Sequence, residues 1–396
     1  MVVKREELLA LIEHGEDSTV EFKLDEIRAS DLAREIVALS NLEGGVILLG
    51  VTDDGQIVGV QRSNVEEWVV NVCRQHCDPP IIPVINKIKV GDKLVLAVQV
   101  SRSREVVSTQ RGQYFIRVGS TVQTPTKFEL ARLFQRAQFV RYDEMPVYTT
   151  TVDEIALDRV NRYLARLEQE PLEAGALALT DALANLRIAV RIEERIYPTV
   201  AGMLTFGKEP RRHLDQTGVM LVRYAGREPG DEVLDSLDAA GTLDEQIEAT
   251  VAFVRRNMQV RSRLTGEGVA REDLPDYPLL AVREAITNAV AHRDYAILGA
   301  RARVRMFDDR LEVLSPGGLP NTLTLENIKT VQYARNSLIV SFLQGLGYME
   351  RRGEGILRMI RWSWENDAPP PTFELPDENL FQVTLFKRRD NGNEDS

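Results

Sequence analysis

The stretch LLAVREAITNAVAHRDY, residues 279 to 295, restricts any fold that contains it. At about 100° per residue, Leu279, Val282, Ile286, Ala289 and Val290 share one arc of a helix. Glu284, Asn288 and His292 stand one turn apart on the opposite side. The apolar arc needs a packed layer against it, and the polar line must meet water or a ligand. Pro278 suits the first helical turn, where a missing N–H costs little, and Asp276 is placed as a cap.

The segments beyond this helix favour a ligand. A strand pair, ARARVRMFDD and RLEVLSP, runs into SPGGLP, a Gly/Pro turn that lets backbone come close to something flat. Beyond it, GLGYMERRGEGILRM supplies Gly345, Gly347, Gly353 and Gly355, the last two opening a helix. Backbone N–H groups of such a bend, with the helix N-terminus, suit phosphate. An acid and an amide one turn apart, here Glu284 and Asn288, can polarise a water and complete a Mg²⁺ shell. By itself the pair is more often a solvated helix face.

The remaining sequence reads as α/β (α+β), with boundaries near 142, 151, 260 and 387. Residues 1–142 alternate helices with strands, among them the buried run GGVILLGV and the strands IIPVINKIKV, KLVLAVQV and QYFIRVG. Residues 151–260 predict a mostly helical connecting domain with two strand-like runs, TVAGMLTFG and GVMLVRY. Residues 261–387 alternate again and include a long helical stretch over 335–363, and 388–396 form a polar tail. GMLTFGKE has P-loop spacing, but Glu209 stands where a Mg²⁺-binding hydroxyl is needed, so no motor is encoded there.

A formal charge of −11 argues against a generic polyanion binder. From Lys87 to Arg141, however, eleven Lys and Arg face three acids, a local net of +8. Arg102, Arg104, Arg111, Arg117 and Lys127, with Tyr114, Phe115, Phe139 and Tyr142 interleaved, fit phosphates and stacked bases, or else an ordinary basic face with a core aromatic. Cys73 and Cys77 are too few for a disulfide framework, and CRQHC lacks a fourth zinc ligand. No apolar run is long enough to span a membrane, and the charged N-terminus has no signal-peptide core, which predicts a cytoplasmic protein.

In its order of motifs the C-terminal third resembles the GHKL ATPases, and HRDY, SPGGLP, ARN and RGEGI resemble the divergent domain of RecG-like proteins. The resemblance implies ATP and Mg²⁺, with Glu284 as general base and Asn288 as Mg²⁺ ligand. It further implies nucleotide contacts at Gly317, Gly318, Gly353 and Gly355. Ser315 replaces the aspartate with which the family reads adenine. At the other end, E-x4-E-F-K (Glu16, Glu21, Lys23), followed by GGVILLGVTDDG, resembles the Schlafen AlbA domain. That implies nucleic-acid binding, with Lys23 among the contacts. The alternative is metal-dependent RNA cleavage with Mg²⁺ or Mn²⁺ on Glu16, Glu21 and Asp53 or Asp54. Together the two resemblances imply a nucleotide-dependent DNA- or RNA-binding protein, regulatory in role, with a homodimer implied by the GHKL part. The rivals are a metal-dependent nuclease and a non-catalytic transcriptional regulator with a vestigial pocket.

Overall fold

The computed structural model describes residues 3–103, 105–137, 141–173, 179–230, 232–265, 270–320, 323–350, 353–377 and 379–389. It is a mixed α+β structure of two compact units, residues 1–140 and 141–396.

In the first unit a four-stranded sheet runs in the order Val20–Lys23, Gly44–Leu49, Lys93–Ser101, Val84–Val90. The first pair is parallel, with Val20 opposite Val46, and the others are antiparallel. GGVILLGV is apolar because its strand is central: Ile47, Leu48 and Leu49 are all buried. The helices Ala29–Asn41 and Val65–Gln75 cover one face through Leu32, Ile36, Val69 and Val72. Val3 and Leu8 help close the other.

The second unit corrects the expected three-part division. Its six-stranded sheet runs Val233–Ala239, Val219–Tyr224, Ala302–Met306, Arg310–Pro316, Leu380–Phe386, Thr372–Asp377. Val219–Tyr224 and Ala302–Met306 pair in parallel, Val219 opposite Ala302, so residues 151–260 and 261–387 share one sheet and one core. A connecting domain separate from that core is therefore not formed. TVAGMLTFG is also not a strand. Its Thr199 hydroxyl accepts from the Gly202 N–H at 2.9 Å and caps a buried helix, Val200–Phe206. Gly202 lies inside that helix, which disposes of the P-loop spacing. The stretch 335–363 is two helices, Ser337–Gly345 and Gly355–Glu365.

The helix that carries Glu284 and Asn288 spans Leu279–Ala291. Val282, Ile286 and Val290 are buried in the core, as the periodicity requires. Pro278 is its N-cap residue, and Asp276 does not cap it. The Asp276 carboxylate instead accepts from the Gln259 N–H at 2.9 Å and pairs with Lys387 at 3.0 Å. His292 closes the helix, and Asp294 fixes the following loop by accepting from the Ala296 N–H at 3.0 Å.

Candidate functional site

The polar side of the Leu279–Ala291 helix faces a cavity of about 410 Å³. Glu284, Asn288 and His292 line it, with Ser315, Gly317 and Gly318 from one bend and Gly353 and Gly355 from the other. Residues up to 71 apart in the chain thus meet because the Arg310–Pro316 strand and the Gly355–Glu365 helix pack on the same helix. Gly345 and Gly347 are not part of this lining. A Cβ at Gly345 would sit 2.4 Å from the Tyr163 ring, and one at Gly347 2.3 Å from the Arg166 guanidinium, so both serve packing.

Asn288 donates to Glu284 at 3.1 Å, and the Arg358 guanidinium stands 3.7 Å from the other Glu284 oxygen. Burial pushes the Glu284 carboxyl above its ordinary range, with Arg358 and Asn288 opposing the rise. His292 is pushed down to about 4 by burial and by the Arg335 charge, so it is neutral near pH 7. The Ser315 hydroxyl donates to the Ala289 carbonyl at 2.7 Å and offers the cavity only lone pairs.

The bends are tightly covered. A Cβ at Gly355 would fall 1.9 Å from a Glu284 carboxylate oxygen, one at Gly353 2.1 Å from the Gln332 amide, and one at Gly317 1.9 Å from the Arg335 guanidinium. Gly317 (φ 107°) and Gly353 (φ 64°) also have left-handed backbone that glycine alone adopts without cost. The Gly317 N–H is already donated to the Asn379 carbonyl at 2.6 Å, and Gly318 accepts from Arg335, so this bend shapes the wall more than it donates to it. The donor set fits a nucleotide with Mg²⁺: Glu284 and Asn288 sit together at one bend, and the acceptor Ser315 at the other.

The N-terminal carboxylates gather differently from the expectation. Lys23 Nζ lies 3.9 Å from Glu16, 4.0 Å from Asp53, and bonds Glu21. Glu21 also pairs with Arg117, whose side chain is fully buried and donates to the Asp17 and Val20 carbonyls at 2.8 and 2.9 Å. Glu16 accepts from the Phe22 N–H at 2.8 Å. The centre of the three carboxylates is thus held by an ammonium. Among the described residues no group of three or more His, Cys, Asp or Glu side chains is placed to hold a metal ion. Burial acts to lower the Lys23 pKa, but Glu21, Glu35 and Glu16 together raise it, so this cation keeps its charge.

Arg117, fully buried, is therefore withdrawn as a phosphate contact, while Lys23 stays partly exposed beside its carboxylates. Arg102, Arg111 and Lys127 are exposed, while Arg104 and Phe139 lie outside the described residues. Phe115 is core, with Arg34 above its ring at 4.9 Å, and Tyr142 packs on the core of the second unit. Sequence reasoning missed Glu35, 3.3 Å from Arg117, and Gln332, Arg335, Glu350 and Arg358 in the cavity. Residue spacing holds no signal for them, apart from the ARN and GEGILRM strings in which the two arginines sit.

Residues 16–126 match the family model described as Schlafen, AlbA_2, and residues 299–385 the one described as "Putative ATP-dependent DNA helicase recG C-terminal". The chain therefore carries a Schlafen/AlbA-type segment followed by a RecG-like C-terminal one, as expected. Domains of these two types are associated with nucleic acid and related to ATPases. The second match takes in Ser315 and both glycine bends and begins after Glu284 and Asn288. Among solved structures, the DIP2311 protein from Corynebacterium diphtheriae shares the fold, at 24% identity over 97% of this chain and 81% of that one, with a TM-score of 0.50. The N-terminal domain of a RecG-related protein from Nitrosomonas europaea aligns at 22% identity over 32% of this chain and 95% of that one, with a TM-score of 0.25. No curated protein matches the chain.

Proposed function

We propose that the second unit binds ATP with Mg²⁺ in the cavity under the Leu279–Ala291 helix, and that the first unit binds DNA or RNA. The chain is then a nucleotide-dependent nucleic-acid-binding protein with a regulatory role. One observation carries the nucleotide half: Glu284, Asn288 and both glycine bends line a single cavity. In this reading Asn288 holds the metal, and the raised Glu284 carboxylate orients a water and takes its proton. Mg²⁺, when bound, neutralises phosphate charge.

The test is a melting curve with millimolar Mg²⁺-ATP, followed by a hydrolysis assay. Wild type should show a nucleotide-induced rise in melting temperature. Glu284→Gln should keep that rise and lose hydrolysis by on the order of 10²-fold. A protein whose melting ignores ATP would be the vestigial-pocket regulator instead.

For the first unit, the pairing of Glu21 with Lys23 and Arg117 supports binding over cleavage. Labelled single-stranded RNA and DNA should be retained by the protein and stay intact in Mn²⁺. Cleavage abolished by Glu21→Ala would restore the nuclease reading.

A further inference from the structure

Among the described residues, the cavity lining carries Glu284, Glu350 and Glu354 against Arg335 and Arg358. Of these two described cations, one must be able to change partners if it is to meet a triphosphate. Arg335 is committed at the Gly317 bend, where it donates to the Gly318 and His292 carbonyls and stands 3.9 Å from Asp294. Arg358 is differently placed. It rises from the Gly355–Glu365 helix beside the Gly353 bend, paired with Glu350 and 3.7 Å from Glu284. Trp362 lies behind it, its ring centre 5.5 Å from the guanidinium carbon, and the Nε has no hydrogen-bond partner among the described residues.

The Glu350 pair is a close one, but Glu350 is 62% exposed, so solvent screens its attraction, and the 3.7 Å to Glu284 is beyond hydrogen-bond range. A phosphate group offers more charge and geometry matched to a planar guanidinium. We propose, resting on the nucleotide reading above, that Arg358 binds the terminal phosphate of a nucleoside triphosphate. It gives up Glu350 and Glu284 to do so. Arg358 thus confers preference for triphosphate over diphosphate.

The experiment is calorimetric titration of the full chain, in Mg²⁺, with the β,γ-imido analogue of ATP, with ADP and with adenosine. Arg358→Gln should weaken the analogue about tenfold while changing ADP and adenosine less than about twofold. Glu350→Gln, at an exposed position that the fold tolerates, should tighten the analogue about threefold by releasing the guanidinium. Equal losses for all three ligands in Arg358→Gln would mean a structural role and overturn the proposal. So would an unchanged analogue affinity in Glu350→Gln, which decides the matter even if Arg358→Gln fails to fold. Wild type binding all three ligands equally would refute the terminal-phosphate role while leaving the nucleotide pocket standing. Wild type binding none of them would remove the pocket reading and this inference together.

Discussion

Because the Ser315 proton goes to the Ala289 carbonyl, a base in the cavity meets an acceptor at this position. An acceptor accommodates the amino group of adenine and disfavours the carbonyl of hypoxanthine. ATP should therefore bind more tightly than ITP, by several-fold, and Ser315→Ala should bring the two affinities together in a competition titration. Equal affinities in wild type would remove Ser315 from base recognition. A second residue-scale effect concerns Glu35, pushed up to about 7 by burial and by Glu21, with Lys23 and Arg117 opposing. A carboxyl with a raised folded pKa holds its proton in the folded state longer than in the unfolded one. Its stabilising contribution is complete below about 4.5 and is lost as pH rises through about 7. Hydrogen exchange of the Gly44–Leu49 strand should slow from pH 8 to pH 5, after correction for intrinsic rates, and Glu35→Gln should flatten that change. Glu284 and Asn288 were readable because their partnership is local, one helical turn. Arg117 was misread because a basic residue looks the same in sequence whether solvated or buried, and its partner Glu35 lies 82 positions away.

At the scale of elements, the periodic helices were readable and the exceptions had long-range causes. The helix Ser337–Gly345 has no cap of its own, since Asn336 gives none. The buried Asp143 carboxylate supplies one from 195 positions away, accepting from the Leu338 N–H at 2.7 Å and the Ile339 N–H at 3.3 Å. Asp143→Ala should destabilise the second unit by about 1–3 kcal/mol in urea unfolding, because it leaves two buried donors unmet. An unchanged midpoint would show the cap to be dispensable. TVAGMLTFG misled for a related reason. Its β-branched, apolar letters suit a strand, yet Gly202 is what lets the helix lie against Ile188, whose carbonyl would be 2.0 Å from an added Cβ. Likewise the strands Val233–Ala239 and Thr372–Asp377, polar and largely exposed at the sheet's edges, carry too little alternation to be seen in sequence.

Over the whole molecule, the charge pattern separates a binding role from a structural one. The chain is net −11, so contact with nucleic acid must be local, and the basic segment from Lys87 to Arg141 is where the compensating charge lies. Its members are not equivalent: Arg102, Arg111 and Lys127 are exposed, whereas Arg117 is buried among carboxylates. Replacing the three exposed residues by Ala should weaken single-stranded binding and lower the slope of log affinity against log salt by about 2, roughly 0.7 for each phosphate no longer neutralised. Melting should barely move, because exposed charges contribute little to stability. Arg117→Ala should do the reverse, since it removes the buried guanidinium that pairs with Glu21 and Glu35 and costs about 3–5 kcal/mol of folding stability. A fluorescence anisotropy series over salt, run beside urea denaturation, separates the two. If the triple variant keeps the wild-type salt slope, the basic segment is not the contact surface. If Arg117→Ala changes the slope with no loss of stability, the burial argument for that residue is wrong.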